Sequence, residues 1–199
     1  MEQSLNKIAR IISTVFVPPS FTLIVFTIFS FVLETEFHKQ LVTISTSFIF
    51  GFTAPIALFV ILRKKKKLID IDASEKDERT FPFIISIIIY TIGLIILIIF
   101  KVNIVSIAFW FCYISNTLIT IFINKHWKIS AHSMGASGPL AAVTFVFGPM
   151  ALIFIAIVLS VGWSRIQLKV HNVTQVSAGM LLGFISTYLQ IYFITEYFN

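Results

Sequence analysis

The chain has 199 residues, of which 57% are hydrophobic and only 12% charged, and its mean hydropathy is +0.95. Soluble domains carry about 25% charged residues, so a water-soluble globular protein is excluded and an integral membrane protein is expected. The formal charge of +6 sits between apolar runs of spanning length, about 17–25 residues. It favours anionic lipid heads or phosphorylated substrates as partners, and argues against nucleic acid.

Lys7 and Arg10 precede an apolar run, as in a signal peptide, but the run reaches Leu33 without a small-residue cleavage site. That predicts a retained first span over 8–33, kinked where Pro18 and Pro19 remove two backbone donors. A short acidic loop, 34–40, leads to a second span over 41–62 with a kink at Pro55. The basic run 63–67 reads as a topology anchor facing anionic lipid, and a mixed-charge stretch, 70–79, follows it. Spans three and four cover 81–100 and 104–123, with Lys101-Val102-Asn103 turning the chain between them. Cys112, the lone cysteine, lies inside an apolar run, so it forms no intrachain disulfide and has a packing role. The 22 phenylalanines read as lipid-facing bulk.

A polar, basic stretch, 124–128, precedes a helix over 133–147 rich in Ser, Gly and Ala. Small residues let membrane helices approach closely, which places this helix in the bundle interior. Gly148-Pro149 breaks the chain. An unbroken helix over 132–164 would be roughly 50 Å long, too long for a ~30 Å hydrocarbon core. A helix over 150–163 and a last span over 171–194 complete the chain, the latter carrying Gly179-x-x-x-Gly183. The expectation is one all-α domain, a polytopic membrane helical bundle of about six to seven spans.

Counting crossings puts three polar stretches on one face of the membrane: 76–82, 129–132 and 164–175. All of the 15 Lys and Arg residues except Lys39 and Lys101 fall on that side, and the positive-inside rule assigns it to the cytoplasm. Ionisable groups held at a membrane boundary mark function by default. His171 and Gln175 are four residues apart, on one face of a helix. Gln175 can therefore take one ring nitrogen of His171 and leave the other free to attack. Two histidines, fixed cations and a hydroxyl suit phosphoryl transfer, whose charge spreads over non-bridging oxygens. Such a site needs no metal or other cofactor.

At these residues the chain resembles the membrane-bound type-2 phosphatidic acid phosphatase superfamily, which includes bacterial acid phosphatases and vanadium haloperoxidases. The family's Ser-Arg-x5-His-x3-Asp appears as Ser164-Arg165, His171 and Gln175; its Pro-Ser-Gly-His as Ile129-Ser130-Ala131-His132; its Lys-x6-Arg-Pro as Lys76, Arg79 and Pro82, differently spaced. The resemblance implies that His171 attacks phosphorus and forms a phosphohistidine. It implies that His132 protonates the leaving alkoxide and then activates water. Arg165, Ser164, Ser130, the backbone N–H of Ala131, Arg79 and Lys76 would hold the phosphate. The implied substrate is a phosphomonoester or diphosphate of a lipid, phosphatidate-like or polyprenyl, whose tail stays in the bilayer.

Several other readings compete with this one. Gln175 stands where the family has Asp, so it orients His171 without adding charge. A catalytically degenerate relative that only binds or transports lipid fits that substitution. Both histidines could be interfacial packing residues, and Arg79 could pair with Asp77 or Glu75. Asp70, Asp72 and Asp77 raise a magnesium-dependent prenyl transferase, but no second Asp-rich stretch accompanies them.

Overall fold

The computed structural model describes residues 2–65 and 77–198. Lys76, Asp70, Asp72 and Glu75 lie outside them, so their expected roles have no structural counterpart. Among the described residues there is no strand. Helices α1 (Glu2–Val15) and α2 (Pro18–Leu33) meet at a 50° bend. The two prolines cause it: they open α2, where a missing N–H is harmless, but the chain cannot stay helical through them.

Helix α3 (Phe37–Thr46), seven π-helical residues (Ser47–Thr53) and α4 (Ala54–Lys64) form one helical element of 28 residues. This π-helical stretch ends just before Pro55, the position where a kink was expected. Proline has no N–H for the carbonyl one turn back, and a wider turn changes which carbonyl needs a donor. Helices α5 (Thr80–Ile99), α6 (Ile104–His126) and α7 (Ala131–Phe147) follow. Gly148 then adopts a positive φ of 75°, and a 3-10 turn (Pro149–Phe154) leads into α8 (Ile155–Gln167). Helix α9 (Val173–Phe198) ends the chain.

The protein is an all-α, multi-span membrane bundle. Among the described residues five helical elements are long and apolar enough to cross, or six if the bent α1–α2 pair is one span. The expected count of six to seven included α7. That helix has only 17 residues, roughly 25 Å at 1.5 Å per residue, because the Ser130 cap and Gly148 fix its ends. It is the inner helix of the bundle, with Ser133 and every residue from Ala136 to Ala142 buried.

The phenylalanines divide between lipid and core. Phe31, Phe48 and Phe122 face outward, whereas Phe26, Phe29 and Phe109 are buried around Trp110. Phe26 stacks on Phe109 with ring centroids 5.1 Å apart. Trp110 Nε1 donates to the Tyr90 carbonyl at 2.7 Å, which satisfies the one polar atom of that ring. Cys112 is buried and free, consistent with packing.

The packing of α7 on α9 sets the position of the functional end. A Cβ on Gly179 would stand 2.6 Å from the Ser130 carbonyl oxygen, and one on Gly183 2.6 Å from the Met134 carbonyl. The Gly179-x-x-x-Gly183 pair is therefore the surface against which α7 lies, backbone to backbone.

Candidate active site

The corner between α8 and α9 is built from local hydrogen bonds. Helix α8 continues past Trp163 to Gln167, so Ser164 and Arg165 sit in its last turns and point inward, both fully buried. Lys169 takes a left-handed conformation (φ 57°). Its N–H donates to the Ile166 carbonyl at 2.9 Å, and that of Val170 to the Arg165 carbonyl at 3.2 Å. This pair of bonds is a Schellman termination. The N–H of His171 also donates to the Arg165 carbonyl, at 3.3 Å. The five-residue gap between Arg165 and His171 is thus the length of one helix end plus its reversal.

Helix α9 then begins with a capping box. Asn172 Oδ1 accepts from the Gln175 N–H at 2.9 Å, and Gln175 Oε1 accepts from the Asn172 N–H at 3.4 Å. The same Oε1 lies 2.9 Å from His171 Nδ1. An oxygen facing two nitrogens makes Nδ1 the protonated ring nitrogen, and the lone pair of His171 is left on Nε2. Sequence reading found the His171–Gln175 pair but assigned Asn172 no role. Its signal was present, as Asn-x-x-Gln immediately before an apolar run.

Hydrogen bonds from two sides bring distant segments here. Residues 127–130, between α6 and α7, are tied into the corner at several points. Ser130 N donates to the Gln175 carbonyl at 3.3 Å. Lys128 Nζ donates to the Val170 carbonyl at 2.8 Å. Arg79, which is buried ahead of α5, donates from Nη1 to the Ile129 carbonyl at 3.1 Å. From the other side, Arg165 Nη1 donates to Ser13 Oγ of α1. Burying a guanidinium is costly by several kcal/mol unless hydrogen bonds replace its water, and Ser13 supplies one.

His171 is 7% exposed. Burial lowers its pKa to about 3, and the positive charges of Arg79, Lys128 and Arg165 lower it further, against the opposing hydrogen bond from Gln175. The imidazole is therefore neutral at pH 7, in surroundings that disfavour added positive charge and favour a bound anion.

No family model, curated protein or solved structure matches this chain. What its site can do rests on its own residues. His171, Gln175, Arg165 and Arg79 come together, and Ser130 joins them through its backbone. Ala131 and His132 open α7 directly after Ser130, with His132 half-buried. The first amides of a helix have no acceptor within it, so those of Ala131 and His132 suit an anion.

Two hydroxyls are engaged locally. Ser164 Oγ donates to the Val161 carbonyl at 2.6 Å, within its own helix. Ser130 Oγ caps α7, accepting from Ser133 N at 3.3 Å, and pairs with Ser133 Oγ at 2.8 Å. Lys128 and Ser13 were absent from the sequence-derived site. Lys128 carried a faint signal, a cation four residues before His132; Ser13 carried none. Among the described residues no three His, Cys, Asp or Glu side chains gather into a group able to hold a metal ion.

Gln175→Glu is expected to keep the capping box, since Glu also serves at that position, while placing a charge beside Nδ1. The His171 pKa should rise by a unit or more, about 1.4 kcal/mol in favour of the imidazolium. Histidine-selective NMR titration of the variant against the wild type measures it.

Proposed function

We propose that the protein is a lipid phosphatase, hydrolysing a phosphomonoester or diphosphate of a lipid through a phosphohistidine. The supporting observation is His171, buried and neutral, with Nδ1 held by Gln175 and three cations around it. A neutral imidazole with a fixed tautomer is a nucleophile. The cations offset charge on the non-bridging oxygens of the transferred group.

In the proposed reaction His171 Nε2 forms a bond to the terminal phosphorus as that phosphorus loses its bond to the leaving oxygen, which is the lipid oxygen of a monoester or the bridging oxygen of a diphosphate. His132, protonated, gives its proton to that oxygen and releases the lipid alcohol from a monoester, or the lipid monophosphate from a diphosphate. Neutral His132 then takes a proton from water, the resulting hydroxide attacks phosphorus, and the bond to Nε2 breaks to give inorganic phosphate. The lipid tail remains among the apolar helix surfaces throughout. Excess Lys and Arg at this end, including exposed Arg63, Lys64 and Lys65, supports a cytoplasmic site in this reading.

The test is phosphate release from phosphatidate and from polyprenyl phosphates and diphosphates in detergent, with EDTA present. Release by the wild type, its inhibition by vanadate and its loss in His171→Ala are the expected results. A strict requirement for added magnesium would overturn the mechanism. A second reading draws on Gln175, whose side-chain oxygen also serves the capping box: a binder of lipid phosphates without turnover. Vanadate binding in the absence of any phosphate release would favour it.

A further inference from the structure

Helix α1 has no part in the phosphatase reading, yet it touches the most buried cation of the site. We propose that α1 is a docking helix for an anionic lipid headgroup layer, and that Ser13 transmits its docking to Arg165.

Three observations carry this. The first is length. Helices α1 and α2 have 14 and 16 residues, about 45 Å together at 1.5 Å per residue, against a ~30 Å core. The 50° bend at the prolines turns α1 away from the line of α2, towards the plane of the surface. Asn6 Oδ1 accepts from Gln167 Nε2 at 2.9 Å, so the first turns of α1 lie level with the end of α8, at the site's end of the bundle.

The second is the distribution of residues on α1. Ala9 and Ser13 are buried, with the helix packed on α8. Leu5, Ile8, Ile11 and Val15 recur every three or four residues and are exposed, Ile11 by 62%. Lys7, also exposed, lies at one edge of that stripe, with Arg10 beyond it on the polar side. An apolar stripe bordered by cations is the pattern of a helix lying in the headgroup boundary. The complementary partner is an anionic lipid surface, which exposed Arg63, Lys64 and Lys65 at the same end would also attract.

The third is the connection inward. Ser13 stands on the face opposite the lipid stripe and accepts from Arg165 Nη1. The Arg165 carbonyl in turn accepts the N–H of both Val170 and His171. Seating α1 on the membrane therefore holds Arg165 at its side chain, while its backbone holds the His171 corner.

The experiment uses the full chain in vesicles of phosphatidylcholine alone, or mixed with phosphatidylglycerol. An environment-sensitive fluorophore is placed at Ile8→Cys in a Cys112→Ala background. The expected result is a blue shift that grows with phosphatidylglycerol. In Lys7→Gln its midpoint should move to about fivefold higher anionic lipid, the share of one cation near such a surface. Amide exchange over 165–171 should slow as α1 docks. Ser13→Ala should abolish that slowing while leaving the blue shift. An identical shift in both lipid compositions would mean plain insertion into tails or pairing with a second copy, and overturns the proposal. So does exchange over 165–171 that ignores anionic lipid. None of these readouts involves phosphate release, so they stand or fall apart from the phosphatase reading.

Discussion

His171→Ala is expected to remove phosphate release by about 10⁴-fold or more, the scale of losing a nucleophile that works with an acid–base partner. It should also flatten the acid side of the protein's stability profile. His171 is buried in its neutral form, with its pKa lowered to about 3, whereas an unfolded chain protonates histidine near 6.5. Between those values the unfolded state binds more protons, so stability rises with pH across the window. The contribution is present in full above about pH 6.5 and is lost as pH falls towards 3. Melting temperature in detergent should decline on acidification more steeply for the wild type than for His171→Ala. Equal slopes would mean that His171 is not held neutral by the fold, and the nucleophile assignment would lose its physical basis.

Gly179→Ala should disrupt the site without touching a reactive group. The added Cβ would lie 2.6 Å from the Ser130 carbonyl oxygen. That oxygen belongs to the backbone at the start of α7 and cannot rotate away. Helix α7 must move, and with it the Ser130 N–H that bonds the Gln175 carbonyl. Overpacking typically costs about 1–3 kcal/mol, and a clash with backbone belongs at the upper end. Both melting temperature and turnover should fall. Gly162→Ala is the contrasting variant. Its Cβ would meet Met180 Cε and Val176 Cγ1, the ends of side chains, so a smaller loss is expected. Equal losses would show that close approach of α7 and α9 is not what assembles the site.

The fold was legible wherever a local rule governs it. Apolar runs bounded by charge marked the helices. Pro18-Pro19 and Gly148-Pro149 marked breaks that the chain does make. At Pro55, read by the same rule, the chain stays in one helical element and carries a π-helical stretch directly before the proline. The phenylalanines were misread as uniformly lipid-facing. Composition does not say which side of a helix faces another helix, and in a membrane both sides are apolar.

Within the candidate site, the arrangement of Arg165, His171 and Gln175 was determined by the sequence alone. Every bond that shapes it, the Schellman termination and the capping box, joins residues at most six apart, so their spacing encodes their geometry. Only the tertiary structure decided what surrounds them. Lys128 on the Val170 carbonyl, Arg79 on the Ile129 carbonyl and Ser13 on Arg165 span 42, 50 and 152 residues. Those contacts depend on how closely α7 seats against Gly179 and on where the proline bend aims α1. Neither is fixed by any local spacing, because each is set by the packing of whole helices against one another.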